Sequence, residues 1–517
     1  MKRFISFTLI LILALAAVGC KKTPSGEASA SEALNTAEPA EPTAPAETPE
    51  VTEEPFETPE ATEEPAVTEE PTEAPTPRPT AMPERPAENP ELPKVIAGED
   101  VFFIVKPDGS LYGWGKNDYG QLGIGTTEDV SAPRFIANGL TPVIVGETVF
   151  ALSEDNILWG WGRNDMGQLG LGDGENHSRP VELMHFVKEI IPAWDSYYVL
   201  TESGALYCWG LSGDPNTVDG ELEPILVDEN VEYFSPYSMI KSGGELWIKR
   251  GDWAKIADDI AAVYDNRFGE YALGTDGMLY HVSYQNGLEP ICDDIRDVKV
   301  SDRSAYILKN DGTLWLWNTE GEYHDVPEAE LNTLTFIMDG VVEIRCDWEM
   351  DEDWGYNYNF ALKANGELWA WSMPYSNAVV GKPMENSSTK PACVAENVKY
   401  VFTNNAQTYI ITEDDKVMAT GLADDRDAVH GGLGDGTLET RFGFVSLGLK
   451  GVCGIYTHLG EVFGEDEDSD WVELYARTFA VDEEGSIWAW GWNGDRLLGT
   501  GSSEETVLSP ELITINE

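Results

Sequence analysis

The chain has 517 residues, enough for two to four average domains or for one large all-β domain with appendages. Its 33 Lys and Arg stand against 92 Asp and Glu, a formal net charge of -59. That balance argues against nucleic acid and against a polybasic contact with anionic lipid, since both need a basic face. A hydrophobic fraction of 42% excludes a purely disordered acidic polymer, and six Cys are too few for a disulfide scaffold.

Lys2 and Arg3 open the chain, and an apolar run from Phe4 to Val18 follows, ending in Ala17-Val18-Gly19-Cys20. The run is too short for a comfortable permanent membrane span, and small residues at its end suit a peptidase. The segment resembles a bacterial lipoprotein signal, with residues 1–19 removed and Cys20 acylated; Ala17 replaces the usual Leu of that box. This resemblance implies an extracytoplasmic protein held to the cell membrane by lipid chains at Cys20. Residues 20–94 read as a stalk. Positions 21–94 hold 16 of the 30 Pro, 18 Glu, no Asp, and Phe56 as their one aromatic residue. Such a segment buries too little apolar area to offset chain entropy and is expected to be disordered and extended.

Residues 95–517 carry an internal repeat. Its anchor is a turn followed by an aromatic strand, as in Asp108-Gly109-Ser110-Leu111-Tyr112-Gly113-Trp114-Gly115 and Asp155-Asn156-Ile157-Leu158-Trp159-Gly160-Trp161-Gly162. Further copies centre on Trp209, Trp247, Tyr280, Trp317, Trp371 and Trp490, with a degenerate one at Asp415 to Gly421. An apolar strand precedes each copy, so Asp-Gly and Asn-Gly sit at hairpin turns. No stretch has a sustained helical period. The expected fold class is all-β, a β-propeller of short antiparallel blades, because each small sheet buries its faces only by radial stacking. Nine repeat anchors allow seven to nine blades. The closing apolar strand at 509–515 is expected to pair with sheet contributed by residues 95–115, since a propeller must join its ends.

Two copies continue as Trp114-Gly115-Lys116-Asn117-Asp118-Tyr119-Gly120-Gln121-Leu122-Gly123 and Trp161-Gly162-Arg163-Asn164-Asp165-Met166-Gly167-Gln168-Leu169-Gly170. These resemble the regulator of chromosome condensation repeat family, whose mark is Trp-Gly-x-Asn-x-x-Gly-Gln-Leu-Gly. Partial matches occur at Gly432 to Gly436 and at Trp490 to Asn493 with Leu498 to Gly501, and the units at 231–345 lack the Gln-Leu-Gly half. The resemblance implies a propeller, usually of seven blades.

Eleven of the 17 Trp lie in the repeat strand, where a wedge-filling role between blades competes with a stacking platform for sugars or bases. Trp348, Trp354 and Trp471 fall instead in long stretches beside acidic runs and are the candidate partner-binding residues. Asp466, Asp468 and Asp470 mimic the start of a calcium loop, but Trp471 and Arg477 break its pattern. The His residues have no metal-ligand spacing, and no catalytic or cofactor motif is present, so no enzyme, cofactor or metal is expected. Cys208, Cys292, Cys346, Cys393 and Cys453 are odd in number; buried thiols or one disulfide both fit. The leading functional expectation is a surface-anchored, non-catalytic propeller that binds a protein partner. A carbohydrate-binding or glycan-active propeller is the alternative. Guanine-nucleotide exchange, the role of the eukaryotic namesake, conflicts with the signal and lipid box.

Overall fold

The computed structural model describes residues 89–515, apart from 194–195, 211–220, 266–269, 284–286, 302–303, 319–331, 351–354, 373–378, 382–389, 405, 426–428 and 464–471. The signal segment, Cys20 and all but the last residues of the stalk lie outside that range. Among the described residues nearly all regular structure is β-strand, with one 3-10 turn at Gly494–Arg496.

Nine antiparallel sheets follow one another at 94–138, 140–184, 187–228, 231–257, 260–292, 295–338, 341–395, 398–450 and 452–512. We number them blades 1 to 9. Each is built on four strands in chain order, the ninth sheet gaining two short strands from blade 8, and every anchor supplies the third strand of one blade. The chain is therefore a nine-bladed β-propeller. The second-to-third turn needs a left-handed residue, which Gly provides at Gly109 (φ 82°) and Asn at Asn156 (φ 58°). Second strands such as Ser196–Thr201 and Gln407–Thr412 are buried along their whole length, because a neighbouring blade covers each face. First strands neighbour each other around the ring, with Ile295–Ser301 next to both Ile260–Asp265 and Val341–Met350.

The repeat Trp residues divide into two sets. The second aromatic of each strand is buried: Trp114, Trp161, Trp209, Trp317, Trp371 and Trp490 fill the wedges between blades. Each such burial removes roughly 150–250 Å², a gross stabilisation of about 4–6 kcal/mol. The first aromatic, as at Trp159, Trp247, Trp315, Trp369 and Trp488, is only half-buried.

Closure differs from the sequence expectation. The last strand, Thr506–Leu512, pairs with Ile487–Trp492 of its own blade, and the first strand, Lys94–Ala97, pairs with Val101–Val105. Among the described residues no strand is shared across the ends. Side chains join them instead: Phe102 packs on Phe479 (5.4 Å between centroids), and the Trp114 indole donates to the Leu497 carbonyl (2.9 Å). One hydrophobic cluster runs through blades 8, 9 and 1.

Candidate functional site

The signature loop is a latch between blades. Asn117 Nδ2 donates to the carbonyls of Thr126 and Glu128, and its Oδ1 accepts the Leu122 amide, which curls residues 117–128 into a rigid loop. Asn164 and Asn493 repeat this arrangement. The curl drives Leu122 and Leu169 into the next blade, where Trp161 donates to the Gln121 carbonyl (2.8 Å) and Trp209 to the Gln168 carbonyl (2.7 Å). The partial copy in blade 9 reaches Trp114 in the same way and so closes the ring. The motif that marks the repeat is thus used up in joining blades.

Blades 4 to 7 have other joints, on the face of the hairpin turns. Lys241 lies over the Trp247 ring (4.7 Å) and pairs with Asp228 of blade 3 (2.6 Å). Lys363 over Trp369 pairs with Asp339 of blade 6 in the same manner. Lys309 over Trp315 reaches Asp293 of blade 5.

Blades 7 and 9 alone have long first and second strands among the described residues. Val341–Met350 and Gly355–Lys363 span 10 and 9 residues, and Val452–Phe463 and Val472–Asp482 span 12 and 11. In blade 7 the third strand stops at Ser372, opposite Tyr358, so residues 355–357 run on for about 10 Å. In blade 9 it stops opposite Arg477, so residues 472–476 run on for about 17 Å. Two hairpin arms therefore rise from one face, on either side of blade 8. Val429–His430, from a loop of blade 8, adds a parallel strand to the blade 9 arm at Leu474 and Tyr475.

Beside the blade 9 arm lies a row of charges. Arg477 is 2% exposed, held between the rings of Tyr475 (4.6 Å) and Phe102 (5.4 Å), and donates to the Glu99 carbonyl and to Asp100 Oδ1. In blade 2, Arg163 lies over Tyr119 and binds Asp165 (2.7 Å), with Glu147 at 3.7 Å. Burial, reinforced by Asp100, pushes the Glu99 carboxyl up; burial also raises Glu147, although Arg163 opposes it. Across the strand pair from Arg477 sits His458. Burial first, and then Arg477, lower its pKa to about 4, and its Nε2 has no hydrogen-bond partner among the described residues.

That depression has a definite sign. The unfolded chain takes up the His458 proton first, so stability falls as the pH drops from about 6.5 to about 4, by about 3 kcal/mol in all. Glu99 and Glu147, whose pKa values are raised, act in the opposite direction because the folded chain protonates them first. His458→Gln should remove the histidine contribution, flattening the acid side of the urea-stability profile; an unchanged profile refutes the assignment.

The structure places Trp348 on the blade 7 arm, opposite Asn357. Trp354 and Trp471, like Asp466, Asp468 and Asp470, lie outside the described residues. Cys208, Cys292, Cys346, Cys393 and Cys453 are free thiols, the first two buried. Among the described residues no group of His, Cys, Asp and Glu is arranged to hold a metal, and no helix is long and apolar enough to cross a membrane. Sequence reading missed Arg477, which occupies a position filled by Thr148 and Ser196 in other blades; a cation among hydroxyl residues was the available signal.

The family model of the Regulator of chromosome condensation (RCC1) repeat matches residues 108–144 and 155–192. The chain carries RCC1 repeats. Each matched RCC1 unit begins at the hairpin turn of one blade and ends in the first strand of the next, so it contains a whole latch. Human and mouse E3 ubiquitin-protein ligase HERC2 are each 24% identical to the chain over 368 residues. The match covers 66% of this chain and 6% of those proteins. Among solved structures, Prp20p from Saccharomyces cerevisiae is 15% identical with a TM-score of 0.38, covering 84% of this chain and 90% of its own. Human WBSCR16 is 14% identical with a TM-score of 0.39, covering 78% and 94%.

Proposed function

We propose that this RCC1-repeat chain is a non-catalytic, lipid-anchored bacterial surface protein that captures a protein partner with the face bearing the two arms. The observation that carries the reading is where the chain joins the ring. Pro93 lies against Gly485, in the hairpin turn of blade 9, on the face opposite the arms. The chain thus enters the ring on the side away from the arms. In sequence, Trp354 follows Asp351, Glu352 and Asp353, and Trp471 follows the acidic run 465–468. Aromatic residues ringed by charge are usual interface anchors. The anchor itself rests on the charged, apolar and small-residue zones that end at Cys20.

Two experiments test this. Cys20→Ser should release the protein or leave its precursor uncleaved, and incorporation of a fatty-acid probe into that variant would refute the anchor. For the partner, capture from the cell envelope should weaken by about 1–3 kcal/mol in Trp354→Ala or Trp471→Ala with melting unchanged. Trp371→Ala is the control and should lose roughly 3–5 kcal/mol of stability. The reading fails if both arm variants capture normally, or if both melt as Trp371→Ala does.

A further inference from the structure

The joint between blades 3 and 4 borders a surface depression. This open cavity measures about 550 Å³ and lies on the face opposite the arms. Its walls come from the end of the last strand of blade 3 and from the hairpin of blade 4: Leu226, Asp228, Asn230, Lys241, Ser242 and Glu245, with Glu229 among them. We propose that this cavity binds a neutral saccharide.

The chemistry of the walls selects that class. The two inner carboxylates already have cations. Asp228 is held by Lys241 (2.6 Å) and accepts the Glu229 amide (2.7 Å), and Glu245 is held by Lys255 (2.7 Å) and accepts the Trp247 indole (3.3 Å). Lys255 keeps the Glu245 carboxyl below its usual range, so it remains an acceptor in ordinary conditions. Charge-balanced carboxylates have free lone pairs for hydroxyl donors, while a cationic ligand would have to compete with Lys241 and Lys255. An anion would meet three carboxylates. The ammonium of Lys241, the Asn230 amide and the Ser242 hydroxyl add donors for hydroxyl acceptors. Leu226, 50% exposed, offers an apolar surface for the C–H face of a sugar ring. Donors, acceptors and one apolar patch converging on a small volume match a polyol and match neither an ion nor an oil.

The brace is not itself the site. Lys363 repeats the stack of Lys241 on its Trp and Asp, which gives the experiment an internal reference. Saturation-transfer NMR on the full-length chain, in a zwitterionic detergent without a sugar headgroup, would screen short neutral oligomers of glucose, mannose and N-acetylglucosamine against sulfated ones. At least one neutral oligomer should bind, and sulfated ones should not. Leu226→Ala, which removes the apolar surface and leaves the Asp228–Lys241 pair in place, should weaken binding about tenfold, and Glu245→Gln should weaken it severalfold. Lys363→Met should bind as the parent does. Silence with every neutral oligomer, preference for the sulfated ones, full binding by Leu226→Ala, or equal loss in Lys363→Met would each overturn the proposal. The arms play no part in this test, so its result is independent of partner capture.

Discussion

Trp114→Ala should destabilise the propeller by about 3–5 kcal/mol, as cavity formation at a fully buried indole does. Trp114 stacks on Phe102 (5.5 Å), meets Phe479 edge-on (6.0 Å), and donates to Leu497 across 383 residues of sequence. The truncation removes all three, and the Phe479 and Leu497 contacts cross the one boundary where covalent connection does not hold neighbouring blades together. Amide exchange should therefore quicken first in Lys94–Ala97 and Val452–Phe463, the inner strands on the two sides of this boundary. Trp161→Ala removes an equivalent latch between consecutive blades and should leave those strands protected. A loss below about 1 kcal/mol for Trp114→Ala, or the same exchange pattern in both variants, would show that the ends are held by other contacts.

Arg477→Met should be comparably costly, about 3–5 kcal/mol, because it leaves Asp100 and the Glu99 carbonyl without the guanidinium that faces them. The thioether preserves much of the packing between Tyr475 and Phe102, so the loss reports chiefly on charge and hydrogen bonding. Two further consequences separate this account from simple packing. Asp100→Asn in the Arg477→Met background should recover part of the loss, since it removes the carboxylate left without its cation. His458, relieved of a neighbouring positive charge, should titrate above its present value of about 4. Urea unfolding of the double-mutant cycle decides the matter: strictly additive losses would mean that Arg477 and Asp100 do not act as a pair.

The architecture was legible because every blade repeats one hairpin, and a Gly, Asn or Asp of positive φ marks each turn. Less legible was the division of labour within the aromatic strand. Trp159 and Trp161 are two residues apart and share one face of their blade, so periodicity gives them the same role. Depth along the strand separates them, since the latch from the preceding blade covers Trp161 and stops short of Trp159. Closure was misjudged for a related reason. An apolar strand at 509–515 looks the same whether it pairs across the ends or within its blade. The informative residues were Asn493, Leu498 and Gly499, a degraded copy of the signature that still makes the latch. The arms read as long acidic loops because their turns are acidic. Yet the strands leading into them, Val452–Phe463 and Gly355–Lys363, keep their ladders well past the length seen in other blades.

Closure by side chains has a consequence for how such a ring can change in number. Where first and last strands share a blade, the two ends of the gene are committed to one sheet, and adding a repeat must preserve that arrangement. Here the four main strands of every blade follow one another along the chain, and the last blade meets the first through the same kind of latch that joins blades 1 and 2. Duplication or loss of a single unit alters only the angle that each blade must subtend. Nine blades in a chain whose repeat family usually builds seven is an outcome that this modular joint permits.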